Sequence, residues 1–171
     1  MADISNSDLY VATYDGPYEA LRDFRALEGA VDDGLDVLGA IAMLRQADGK
    51  VDFLVAAEDA GEHVDWFGGA TGIIVGLFAP ELLLSAASRR RDSASLRRLI
   101  RAHDEGRMGI DLDEAFPPES AVVVLVVAPN QVHRVDGVLL HAGKVTTYRI
   151  EDEDFDLVRA ALATPNQSVE T

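Results

Sequence analysis

The chain has no cysteine. Disulfides, thiolate metal sites and a cysteine nucleophile are therefore excluded. Tryptophan occurs once, at Trp66, and lysine twice, at Lys50 and Lys144, against thirteen arginines. No G-x-G-x-x-G phosphate loop is present, and Ser85, Ser88, Ser93 and Ser95 lie in no nucleophile-elbow pattern. The four histidines, His63, His103, His133 and His141, form neither H-x-x-x-H nor H-E-x-x-H. His63, beside Asp65 and Trp66, is the best single histidine for a ligand or a pH-sensitive contact. The first residues, Met1 to Asp8, lack a basic region followed by an apolar one, which predicts a cytoplasmic protein without a signal peptide. With no nucleophile–base constellation, the expectation is a non-enzymatic protein with no cofactor and no metal.

What is present is acid. The 171 residues carry a net charge of −15 and a pI near 4.4, which disfavours duplex nucleic acid as a partner. The charge is unevenly placed. Residues 89–107 hold Arg89, Arg90, Arg91, Arg97, Arg98, Arg101 and Arg107 against three acids, so this segment is +4 and the rest is −19. Such a segment suits anionic lipid heads, nucleic acid or phosphate, and it also suits a solvated helix that pairs with the acids of a neighbouring copy. Asp111, Asp113 and the acid run 151–156 have no EF-hand spacing and read as solvated helix starts.

Hydrophobic pattern and turn residues give the element order. Leu9–Tyr14 reads as a strand. Asp15-Gly16-Pro17 opens a helix, because Asp15 or Gly16 can cap it and proline fits the first turn. Ala20, Leu21, Phe24 and Leu27 form its apolar face, and Gly29 is the expected terminator. Leu35–Leu44 and Val51–Ala57 are the strands of a hairpin turning at Ala47-Asp48-Gly49-Lys50. Residues 58–110 read as a helical insertion. Asp111–Glu114 opens one helical turn that Pro117-Pro118 ends. Ala121–Val127 is a central strand. A helix opened by Pro129-Asn130 is expected to run towards Gly143, with His133 and His141 two turns apart on it. Lys144–Ile150 is the last strand. A helix containing Phe155, Leu157, Val158, Ala161 and Leu162 follows, and a tail from Thr164 is expected to be loose. With the extra hairpin strand and the insertion set aside, the order is β-α-β then β-α-β. That predicts one α+β domain of the ferredoxin-like, split βαβ plan, with helices on one face of an antiparallel sheet.

Within the insertion, Trp66-Phe67-Gly68-Gly69-Ala70-Thr71-Gly72-Ile73-Ile74-Val75-Gly76-Leu77-Phe78-Ala79-Pro80 is the longest uncharged stretch. Gly68, Gly72 and Gly76 recur at every fourth position. Each helical glycine costs up to ~1 kcal/mol relative to alanine, so the stripe requires close packing in return. Small-xxx-small stripes pack against another helix. Three partners suit this one: a copy of the chain, an element of the same chain, or a bilayer. Trp66–Ala79 covers about 21 Å as a helix, short of the roughly 30 Å hydrocarbon core, and extension requires Pro80 and Glu81 inside it. The expected packing residues are Trp66, Phe67, Gly68, Gly69, Gly72, Gly76, Leu77 and Phe78, with Arg89, Arg90, Arg91, Arg97, Arg98 and Arg101 as the basic patch.

The chain resembles the bacterial domain-of-unknown-function family numbered twelve sixty-nine, whose members are labelled predicted membrane or stress proteins. The resemblance runs from about Leu9 to Ala163. It is carried by Val11–Ala20, the Asp48-Gly49-Lys50 hairpin, Gly68–Pro80 and Pro117-Pro118-Glu119-Ser120-Ala121. Where the family continues past the proline with a second Gly/Ala-rich helix, this chain places Ser88-Arg89-Arg90-Arg91-Asp92. The resemblance implies no catalytic residue. The resulting expectation is a structural or regulatory protein that homo-oligomerises through the 58–110 arm. Membrane association by that arm and small-molecule sensing are the other readings.

Overall fold

The computed structural model describes residues 7–58, 69–79, 101, 110 and 112–162. Five strands, β1 (Asp8–Tyr14), β2 (Val37–Arg45), β3 (Val51–Glu58), β4 (Ser120–Val127) and β5 (Lys144–Arg149), form one antiparallel sheet in the order β3-β2-β4-β1-β5. The helices bounded by described residues are α1 (Pro17–Asp32), α2 (Gly69–Phe78), α3 (Leu112–Ala115), α4 (Val132–Asp136) and α5 (Asp152–Leu162). A 3-10 turn, Pro129–Gln131, leads into α4. The class is α+β.

Register divides the strand residues into two cores. Leu9 faces Val126 and Val11 faces Val124, and these pack on one side of the sheet with Ile41 and Met43. Tyr10 faces Leu125 and Ala12 faces Val123, on the other side with Ala40 and Ala42. β1 and β4 are buried on both faces, which is why β4 reads as an unbroken valine run and not as an alternation. Two irregularities adjust the pairing. Leu38 is extra between Val37 and Gly39 opposite β4, and Leu54 is extra between Phe53 and Val55 opposite β2.

The helices occupy both faces, which corrects the expectation of one covered face. Phe24 and Leu27 of α1 and Val135 of α4 fill the side with the alanines. The small Ala12, Ala40, Ala42 and Ala121 lie beneath these larger helix side chains. Ile73, Ile74, Val75, Leu77 and Phe78 of α2, with Phe155 and Val158 of α5 and Phe116, fill the other. Phe78 and Phe116 stack at a 6.0 Å centroid distance. Seven consecutive residues, 73–79, are buried. Seven residues are about two helical turns, so the helix is covered on every side there. The stretch 73–79, with Gly76 in it, is therefore packed within its own chain.

Helix ends follow local chemistry. Gly16 is the extended N-cap of α1, and Pro17 begins the helix. The helix does not stop at Gly29. It runs to Asp32, and Gly34 at φ +107° ends it. Leu35 N–H donates to the Ala30 carbonyl at 2.9 Å and Gly34 N–H to that of Val31 at 3.0 Å, the two bonds of a Schellman motif. In the hairpin, Gly49 N–H donates to the Gln46 carbonyl at 2.9 Å, and Gly49 takes φ +92°, as a three-residue loop with a left-handed glycine requires. A second correction falls after β4. α4 ends at Asp136, so Val138, Leu139 and His141 lie in the turns that lead to β5. His133 and His141 do not share a helix.

Candidate functional site: a buried aspartate between tyrosine and histidine

The α1 stripe Ala20, Phe24 and Leu27 includes a fourth buried residue, Asp23, one turn before Leu27. Its side chain is 2% exposed. Burying a carboxylate requires hydrogen-bond donors, and three converge here. Tyr14 Oη donates to Asp23 Oδ2 at 2.9 Å, and the His141 backbone N–H donates to the same oxygen at 2.8 Å. The imidazole Nδ1 of His141 lies 2.6 Å from Oδ1. A carboxylate only accepts, so Nδ1 carries a proton, and in the neutral ring Nε2 is then the nitrogen with the lone pair. The imidazole is 38% exposed.

The three residues come from different elements. Tyr14 ends β1, Asp23 sits in the second turn of α1, and His141 precedes β5. The turn carrying His141 is pinned further when Gly143 N–H donates to the Thr13 carbonyl at 2.8 Å. A second tyrosine–aspartate pair lies on the same side, where Tyr10 Oη donates to Asp136 Oδ1 at 2.6 Å. Burial raises the pKa of both Tyr10 and Tyr14 above the ordinary phenol value, and the hydrogen bonds to Asp136 and Asp23 raise them further. Both phenols therefore stay protonated donors at neutral pH. Chemically, the cluster fixes one imidazole with its Nδ1 edge on a buried carboxylate and its remaining nitrogen free to act.

At the same end of the sheet, on the other face, Thr13 Oγ1 donates to the Ala115 carbonyl at 2.6 Å and Arg45 Nη1 to that of Phe116 at 2.8 Å. Arg45 also pairs with Asp113 at 3.2 Å, and Lys144 with Glu114 at 3.0 Å. Asp113 and Glu114 thus anchor α3 to the sheet.

The residues expected from the sequence are distributed otherwise. Gly69, Gly72 and Gly76 fall in α2, and Gly76, Leu77 and Phe78 are buried. Arg101 is helical and exposed. Trp66, Phe67, Gly68, Arg89, Arg90, Arg91, Arg97 and Arg98 lie outside the described residues, as do His63, His103 and the serines 85, 88, 93 and 95. Glu151–Asp154 line an open depression of about 340 Å³. Among the described residues, no group of three His, Asp or Glu side chains is placed to hold a metal ion.

The sequence reading missed the Asp23–His141–Tyr14 cluster. One signal for it existed, an acid within the apolar stripe of α1. The partner was hidden because 118 residues separate Asp23 from His141. Compared with protein-family models, curated proteins and solved structures, the chain matches none.

Proposed function

We propose that this chain is a non-enzymatic structural or regulatory protein that acts by associating with copies of itself. The basic segment 89–107 of one copy sets against the acidic surface of the next. The observation that carries this reading is the charge segregation, +4 on 89–107 against −19 on the rest. The described surface is the acidic side of that balance: Glu19, Glu28 and Asp32 of α1, Asp33 after it, and Glu151 and Asp152 at the start of α5 are all exposed. Copies with a uniform charge of −15 repel one another, whereas a basic segment offers a complementary contact. Ile73–Ala79 are buried in the chain itself, so the apolar half of the arm serves the fold and the basic half serves the contact.

The sheet is read as a ferredoxin-like, split βαβ plan with one strand added. With β3 set aside, the strand order is β2-β4-β1-β5, and the crossover elements α1 and α4 pack on one face. Ligand sensing would follow from that plan by analogy alone. Among the described residues no helix is long and apolar enough to cross a membrane.

Sedimentation velocity at about 10 mM and about 1 M salt tests the proposal, because the Debye length falls from about 30 to about 3 Å between them. The expected result is an assembly at low salt that dissociates at high salt. Replacing Arg89, Arg90 and Arg91 by glutamate is expected to abolish it. A monomer at low salt and micromolar concentration overturns the reading.

A further inference from the structure

We propose that His141 is an acylation site of this chain. Its Nε2 is the nucleophile, Asp23 holds it in the reactive tautomer, and the co-substrate class is a neutral activated acyl donor. The geometry carries the first two points. The 2.6 Å contact from Nδ1 to a carboxylate that is 2% exposed commits the proton to Nδ1, while the ring keeps 38% of its side-chain surface open to an incoming molecule. The His141 backbone N–H and Tyr14 Oη both donate to Oδ2 of the same carboxylate and hold it in place beneath the ring. A second group that orients the base or nucleophile is what distinguishes an activated imidazole from a surface one.

The step balances. The Nε2 lone pair attacks the acyl carbon, the bond from that carbon to the leaving oxygen breaks, and the leaving group departs with the electron pair. The ring becomes cationic with Nδ1 still protonated and donating to Asp23, so the positive charge forms 2.6 Å from a buried carboxylate. The Nδ1 proton then passes across the same contact to Asp23 Oδ1, and the leaving group takes a proton from solvent, which leaves a neutral acylimidazole hydrogen-bonded to the aspartic acid. A neutral donor is specified because the chain carries −15, and an anionic donor would be repelled. Asp23 touches no donor atom and is a positioning residue.

Diethyl pyrocarbonate is the probe, with site-resolved mass spectrometry of the full chain at neutral pH. His133, exposed on α4, is the internal control. His141 is expected to be carbethoxylated faster than His133, and Asp23→Asn to slow it by about tenfold, the low end of what losing the outer hydrogen-bond partner of a metal-ligating histidine costs. A His141 rate at or below that of His133, or an Asp23→Asn rate equal to wild type, overturns the proposal. Because Asp23→Asn can weaken the fold, a second measurement uses the unmodified chain. Nitrogen-15 spectra of neutral His141 are expected to show a protonated Nδ1 and a bare Nε2, and the opposite tautomer overturns the proposal without any variant. Neither readout depends on self-association.

Discussion

Tyr10 and Tyr14 are 0% and 1% exposed, and each gives its hydroxyl to an aspartate. Ionising either phenol would place an anion in the core against a carboxylate, which is why both pKa values are raised. The sign for stability follows. Above about pH 10 a tyrosine in the unfolded chain has lost its proton while the folded one keeps it, so the unfolded state binds fewer protons and stability falls as pH rises. The slope is about 1.4 kcal/mol per pH unit for each tyrosine until its folded-state pKa is reached. The expected outcome of alkaline titration is that Tyr10 and Tyr14 ionise together with loss of ellipticity, and that Tyr10→Phe or Tyr14→Phe flattens the fall. Complete tyrosinate absorbance before any unfolding would contradict the burial argument. These tyrosines were legible in the sequence only as strand residues. Their hydroxyl partners lie 126 and 9 positions away, and strand periodicity carries no information about either.

In α1, two glycines that look alike in the sequence have opposite roles. Gly29 lies inside the helix, and a Cβ built there meets nothing within 4 Å. Gly34 holds φ +107° and donates one of the two capping bonds. Gly29→Ala is expected to raise stability by about 0.5–1 kcal/mol, and Gly34→Ala to lower it by about 1 kcal/mol or more. Denaturant midpoints of the two variants check this, and equal shifts would reject the assignment of the cap. The element scale was also where the sequence was most readable. All five strands and the start of α1 lie where alternation, proline and Asp-Gly placed them. The exceptions have local causes. The sequence predicts Gly29 as the terminator because a glycine there fits the pattern as well as Gly34 does, and only the capping bonds separate them. The apolar spacing of Val138 and Leu139 predicts a longer helix after Pro129, yet Leu139 is buried and Val138 half-buried from a turn.

At the scale of the molecule, β4 is shared by two cores. Val122, Val124 and Val126 face α2 and α5, while Val123 and Leu125 face α1 and α4. Losing one helical layer exposes one side of the same strands that the other layer needs. Phe78→Ala removes a ring with 0% exposure packed at 6.0 Å on Phe116. It is expected to cost about 3–5 kcal/mol. Because the layers share β4, the loss should appear as a single transition with an unchanged denaturant slope, read alike by far-ultraviolet ellipticity and by the near-ultraviolet signal of the tyrosines on the opposite face. A surviving near-ultraviolet signal would show that the two layers unfold separately. The sequence by itself determined the strands, the hairpin, the turn glycine at 49 and the α+β class, because each depends on neighbours within a few residues. It also determined the segregation of charge. Only the tertiary structure decided that residues 73–78 of α2 and Ala79 after it close the second face of their own sheet, and that Asp23 meets His141. An apolar helix has the same sequence signature whichever apolar surface covers it, and a long-range hydrogen bond has none.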